Sequence, residues 1–258
     1  MAKYINKEIL CEAYTHLDID IYNDKVALAK LKTALLPFFE ERAKFLLGDD
    51  VEIEIIFEPG SLKTKLRVLG SAGIALAVAV NSYGSFRESV TSLARDATAL
   101  TESANLEVIF RTKTQYCDRI TIEKRKGVFG RVDELISNLD KQKSSVNADQ
   151  LPTSTKAIQD TKTTIDRLLE WNTRVDVLFS KLDSNSTKLC ISDGLAAELQ
   201  EFPAEFGWHK ILTGAGIRGA SIRADASKLA ELESLNARLN SVVKSLRKDM
   251  KARSPERK

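Results

Sequence analysis

KAIQDTKTTIDRLLEWNTRVDVLFSKLD, residues 156–183, and DASKLAELESLNARLNSVVKSLRKDMKA, residues 225–252, each repeat apolar side chains at alternating spacings of three and four over about four heptads. In the first, Ile158, Ile165, Asn172 and Phe179 take the a positions, and Thr161, Leu168, Val175 and Leu182 the d positions. In the second, Leu229, Asn236, Val243 and Met250 stand at a, with Leu232, Leu239 and Leu246 at d. Helices with such a stripe bury it against a matching stripe. Folding the chain back in antiparallel fashion sets Ile158 at the level of Met250 and Phe179 at the level of Leu229, and brings Asn172 and Asn236 close together. Pairing of either helix with its own copy in another chain is the alternative. Residues 184–224 then form the tip, with one helix near 192–202 and a glycine-rich loop.

Working outward from the heptads, the polar stretch QKSSVNADQLPTST (142–155) has one proline and no periodicity, which marks a change of organisation. The expected layout is an α+β domain over 1–143, a linker over 144–155, a helical hairpin over 156–252 and a basic tail over 253–258. The fold class is mainly α with a small β-hairpin.

Within 1–143 the clearest signal is VEIEIIFEPGSLKTKLRV (51–68). Val51, Ile53, Ile55 and Phe57 alternate with acidic residues, Pro59-Gly60 turns the chain, and Leu62, Thr64, Leu66 and Val68 alternate with bases. Pairing Glu58 with Ser61 places Glu54 opposite Lys65, Glu52 opposite Arg67 and Ile55 opposite Thr64. Pro59 cannot adopt the positive φ of a type I′ turn, so a type II turn or a longer loop is expected. A two-stranded ribbon needs further packing to be stable. Residues 6–17 and 24–47 read as helices, the second bent or restarted at Pro37 and ended near Gly48. An apolar helix over 68–80 and an amphipathic one over 86–110 are expected to follow. The segment 116–126 reads equally as strand or helix, and a further helix is expected over 131–141.

The composition narrows the function classes. With 43% hydrophobic and 29% charged residues in 258, the chain can bury a substantial core. Cys11, Cys117 and Cys190 are widely spaced and odd in number, which points to neither a disulfide framework nor a zinc site and fits a reducing, cytoplasmic setting. No charge-free N-terminal run suggests a secretory signal. Gly214, Gly216 and Gly219 match G-x-G-x-x-G, but the flanking sequence lacks the strands of a dinucleotide site. The two histidines, His16 and His209, have no metal-ligand spacing, and no nucleophile motif is present. No catalytic residue, cofactor or metal is therefore assigned.

Three surfaces remain as candidates. The heptad seam suits a protein partner or a homo-oligomer. Gly70, Gly73 and Ala77, within the uncharged run VLGSAGIALAVAV (68–80), make a small-residue stripe suited to close helix approach, in an oligomer or a membrane. Thirteen residues are too few to span a bilayer, which takes about 20. Lys244, Arg247, Lys248 and Lys251 belong to a C-terminal segment with seven bases against Asp249 and Glu256, a candidate anion-binding face for phosphates or lipid headgroups. The leading expectation is a non-enzymatic assembly protein acting through the heptad helices. The alternatives are a membrane-acting effector using the hairpin 51–68 and segment 66–86, and a nucleic-acid binder using the basic end.

Overall fold

A central strand whose charged side chains are themselves buried in hydrogen bonds and ion pairs loses the clean period-two pattern of an exposed one, and residues 8–17, with Glu8 and Glu12 buried, are such a case. In the computed structural model, which describes residues 8–210 and 226–255, they form strand β1 (Glu8–Leu17) and not the expected helix. Leu10, Cys11, Ala13 and Leu17 are all buried, and a bulge between Ile9 and Cys11 disturbs the alternation further. The chain is mostly helical with one antiparallel sheet. After β1 come α1 (Lys25–Leu47), β2 (Val51–Glu58), β3 (Lys63–Gly70), α2 (Ala72–Tyr83), α3 (Phe86–Thr112), β4 (Arg119–Arg125), α4 (Gly127–Val146), α5 (Thr155–Phe179), α6 (Asn185–Gln200) and α7 (Ala226–Arg253). The described residues fall into two compact units. One holds those up to Asp133 together with Leu182–Ile191, the other Glu134–Lys181 and those from Ser192 onward.

In the first unit the strand order is β2-β3-β1-β4, with every neighbouring pair antiparallel. With α1 between β1 and β2, and α2 and α3 between β3 and β4, this is the split β-α-β arrangement of ferredoxin-like sheets. The hairpin joins β1 through β3, which answers the marginal stability of two strands alone. Its register differs by two residues from the expected one: Glu58 faces Lys63, Ile55 faces Leu66 and Glu54 faces Arg67. Pro59 forces the longer loop, 59–62, and because the slip is even each side chain keeps its face. Helices α1 and α3 contact each other and the sheet. On that face Thr15 donates to Asn105 Oδ1 at 2.6 Å, and Asn105 Nδ2 donates to the Glu123 carbonyl at 3.1 Å. The opposite face carries a ladder of charge across all four strands: Arg67 bonds both Glu54 and Glu12, and Arg125 bonds both Glu12 and Glu123.

Helix α1 continues through Pro37 without a break, begun by the Asp24 carboxylate accepting from Val26 and Ala27. At the start of α2 the buried Glu8 carboxyl accepts from the Ala72 amide at 3.0 Å, the Ser184 amide at 3.3 Å and the Thr187 hydroxyl at 3.3 Å. One acidic side chain thus ties two helix N-termini together, where their free amides favour it.

The second unit is built on α5 and α7. Ile158, Ile165, Leu168, Val175 and Phe179 of α5, and Leu232, Leu239, Val243, Leu246 and Met250 of α7, are buried as the heptads require, while Leu229 is half-buried. The direction of pairing differs from expectation. Lys162 meets Glu231 (2.7 Å), Asp166 meets Arg238 (2.8 Å), Asn172 meets Asp249 (3.3 Å) and Asp176 meets Arg253 (2.7 Å). Both numbers rise together, so α5 and α7 run parallel, and Ile158 does not lie at the level of Met250. Residues 201–208 return the chain: Gly207 N donates to the Val146 carbonyl at 2.8 Å, and Phe206 N to Asn236 Oδ1 at 3.0 Å. With that return leg in place the second heptad helix starts over in the direction of the first.

Candidate functional site

The seam residues are brought together as a core and not as a free surface. Thr161, Thr164 and Trp171 complete the buried stripe of α5, and Trp171 Nε1 donates to the Leu135 carbonyl at 2.9 Å. Asn172 and Asn236 are not partners. Asn172 is half-buried and bonds Asp249, while Asn236 is buried and accepts the Phe206 amide. Leu182 is buried in the first unit.

The proposed small-residue stripe is not a single helix face. Gly70 ends β3, where a Cβ would lie 2.9 Å from the Asp50 carbonyl oxygen. Gly73 sits in the first turn of α2 with its amide donating to Thr187 Oγ1 at 3.0 Å, and a Cβ there would come within 2.9 Å of the Thr187 nitrogen. Its small size serves a close approach inside the first unit. Ala77 is exposed.

What α2 does present outward is apolar. Ile74 and Val78, one turn apart, are 50% and 60% exposed, and Phe45 near the end of α1 is 87% exposed. They line a groove of about 260 Å³ with Leu46, Ala75 and Asp96. Burial pushes the Asp96 carboxyl above its ordinary range, opposed by the neighbouring Arg95 charge. A second apolar cluster lies at the β4 edge of the sheet, where Leu106 and Phe110 of α3 and Ile120 and Ile122 of β4 are exposed. The first lies partly within the segment 66–86 that the sequence marks out, though on Ile74 and Val78 and not on the small-residue stripe; the second was not flagged, because Leu106 and Phe110 read as part of the buried stripe of α3.

The basic end is partly engaged. Arg247 donates to the carbonyls of Leu199 (3.0 Å), Gln200 (3.2 Å) and Phe202 (2.8 Å), closing the C-terminus of α6. Lys244, Lys248 and Lys251 are exposed. The glycine motif 214–219, most of the loop of the expected tip, and Arg257 and Lys258 lie outside the described residues. His16 is bonded to Ser61 Oγ at 2.7 Å, and His209 lies 3.4 Å from Glu205 and edge-on to Trp208. Among the described residues no group of three or more His, Cys, Asp or Glu side chains is placed to hold a metal ion, and no helix is long and apolar enough to cross a membrane.

No known protein family matches the chain, and neither a curated protein nor a solved structure shows significant similarity to it.

Proposed function

We propose that this is a non-enzymatic assembly protein that engages protein surfaces through its first, α+β unit, while the heptad helices hold the second unit together. The supporting observation is the contrast in exposure: Phe45, Ile74 and Val78 stand open around one groove, whereas the central seam residues of α5 and α7 are buried. Clustered exposed apolar side chains mark interaction sites far more often than scattered ones do. Cys11 and Cys117 are free thiols, which fits a reducing, cytoplasmic setting. Native mass by light scattering, with affinity capture using the full chain as bait, tests this reading. A stoichiometric complex with a protein partner, weakened by Phe45→Asp or Val78→Asp, or self-association through another face of the same unit, is expected. A strict monomer that retains no protein would overturn it.

A second reading, contact with a membrane surface, draws on the same Phe45, Ile74 and Val78 cluster. Insertion of 66–86 would have to extract Leu66, Val68 and Leu76, all buried, so only shallow contact by the exposed side chains suits this fold. Flotation with anionic liposomes distinguishes the two, since a protein that stays with the soluble fraction has no such contact. Binding of nucleic acid through Lys244, Lys248 and Lys251 is the third reading and carries the expectation of steep salt dependence.

A further inference from the structure

We propose that β4 is the strand through which two copies of this chain join, extending the sheet antiparallel across a two-fold axis at Thr121; this deepens the assembly reading and rests on it. The strand lies at the edge of the sheet, and among the described residues only β1 pairs with it. Its outer row of peptide groups is a template for another strand. Of the two edges, β2 carries Glu52, Glu54 and Glu58 and no base, so a second β2 would meet it with like charge.

The sequence of β4, RITIEKR, is complementary to itself in one register. With Thr121 on the axis, Arg119 lies opposite Glu123 of the second copy and Ile120 opposite Ile122, and each pair occurs twice by symmetry. One step further out, Asp118 faces Lys124. The partition between faces agrees. Arg119, Thr121 and Glu123 are half-buried, while Ile120 and Ile122 alternate with them and are 53% and 39% exposed.

The neighbouring helix adds to this surface. Glu102 of α3 pairs with Lys124 at 2.9 Å, and Leu106 and Phe110 follow at steps of four on the same stripe. Phe110 is 75% exposed, so each copy would bring Leu106, Phe110, Ile120 and Ile122 to the junction. Arg119 stands at the start of the strand, half-buried. Its guanidinium lies over the Tyr116 ring at 5.3 Å. A slip of register between His16 and Leu17 leaves Ile120 without a partner on β1.

The test uses the full chain in a concentration series followed by sedimentation. Arg119→Glu and Glu123→Arg each set like charge against like in both symmetric pairs. Each should weaken the dimer by about tenfold or more, and Arg119→Glu combined with Glu123→Arg should restore it. Thr121→Cys in a Cys117→Ser background should form a disulfide-linked dimer under oxidation, because only the axial residue meets itself. Thermal melts of each variant separate unfolding from lost pairing. If single variants unfold, the double variant and the cysteine variant still decide. A wild-type dimer unaffected by charge reversal, a double variant that stays monomeric, or a Thr121→Cys chain that does not cross-link would overturn the β4 junction while leaving assembly by another face standing. A wild-type monomer at every concentration would also overturn it, and the assembly reading falls with it only if affinity capture retains no protein.

Discussion

Asn236 illustrates how one side chain changes meaning between sequence and structure. In a heptad an asparagine at a reads as a register pin facing its counterpart. Here its Oδ1 accepts the Phe206 amide inside the second unit, so Asn236→Leu leaves a buried donor unpaired. A loss of about 1–3 kcal/mol in chemical denaturation is expected, against a smaller effect for Asn172→Leu, whose side chain is half-buried at the edge of the seam. A gain in stability for Asn236→Leu would contradict this assignment. The cysteines make a second contrast at this scale. Burial pushes the Cys11 thiol up to about 12, while Cys117 is exposed. The folded chain favours the neutral thiol, so its contribution is whole below the ordinary value of 9.0 and is lost as pH rises toward about 12. Mass spectrometry after brief alkylation should find Cys117 modified and Cys11 protected until the chain unfolds. Between pH 9.0 and 12, Cys11→Ala should flatten the fall in stability.

At the level of elements, the readings that relied on local period were the ones the structure retains. The alternation over 51–68 gave both strands and their faces, and the slip of two in register came from a turn that Pro59 lengthens. The stripes of 86–110 and 156–183 gave α3 and α5 to within a few residues. Strand β1 was illegible because its bulge between Ile9 and Cys11 and its buried Glu8 and Glu12 break the alternation, leaving spacings that also suit a helix. The parallel course of α5 and α7 was illegible for a different reason: a heptad row looks the same from either end, and direction depends on the route between the helices. Part of that route is fixed by Arg247, whose guanidinium holds three carbonyls at the end of α6. Arg247→Ala should lower stability by about 2–3 kcal/mol in denaturant titration. Arg247→Lys should recover only part, since an ammonium cannot reproduce the planar fork. Equal stability of all three chains would show that this cap does not fix the return.

For the whole molecule, the heptad stripes of α5 and α7 are buried against each other within one chain, and the proposed assembly role rests on the α+β unit. Segment 66–86 was legible as a candidate surface, but which side chains stand exposed was not, because exposure is a tertiary property: Phe45, Val78 and Phe110 have the same local pattern as buried neighbours such as Phe39 and Leu76. The seam's closure within a single chain is the central claim, and isotope-resolved cross-linking addresses it most directly. An equal mixture of unlabelled and nitrogen-15-labelled protein is refolded together and treated with a carbodiimide, which joins amines to carboxylates in contact. Lys162 and Glu231, 2.7 Å apart, should appear as a linked peptide pair carrying the same isotope on both sides. Linked pairs of mixed isotope in statistical proportion, or Lys162 joined to Asp249 in place of Glu231, would contradict a parallel seam closed inside one chain.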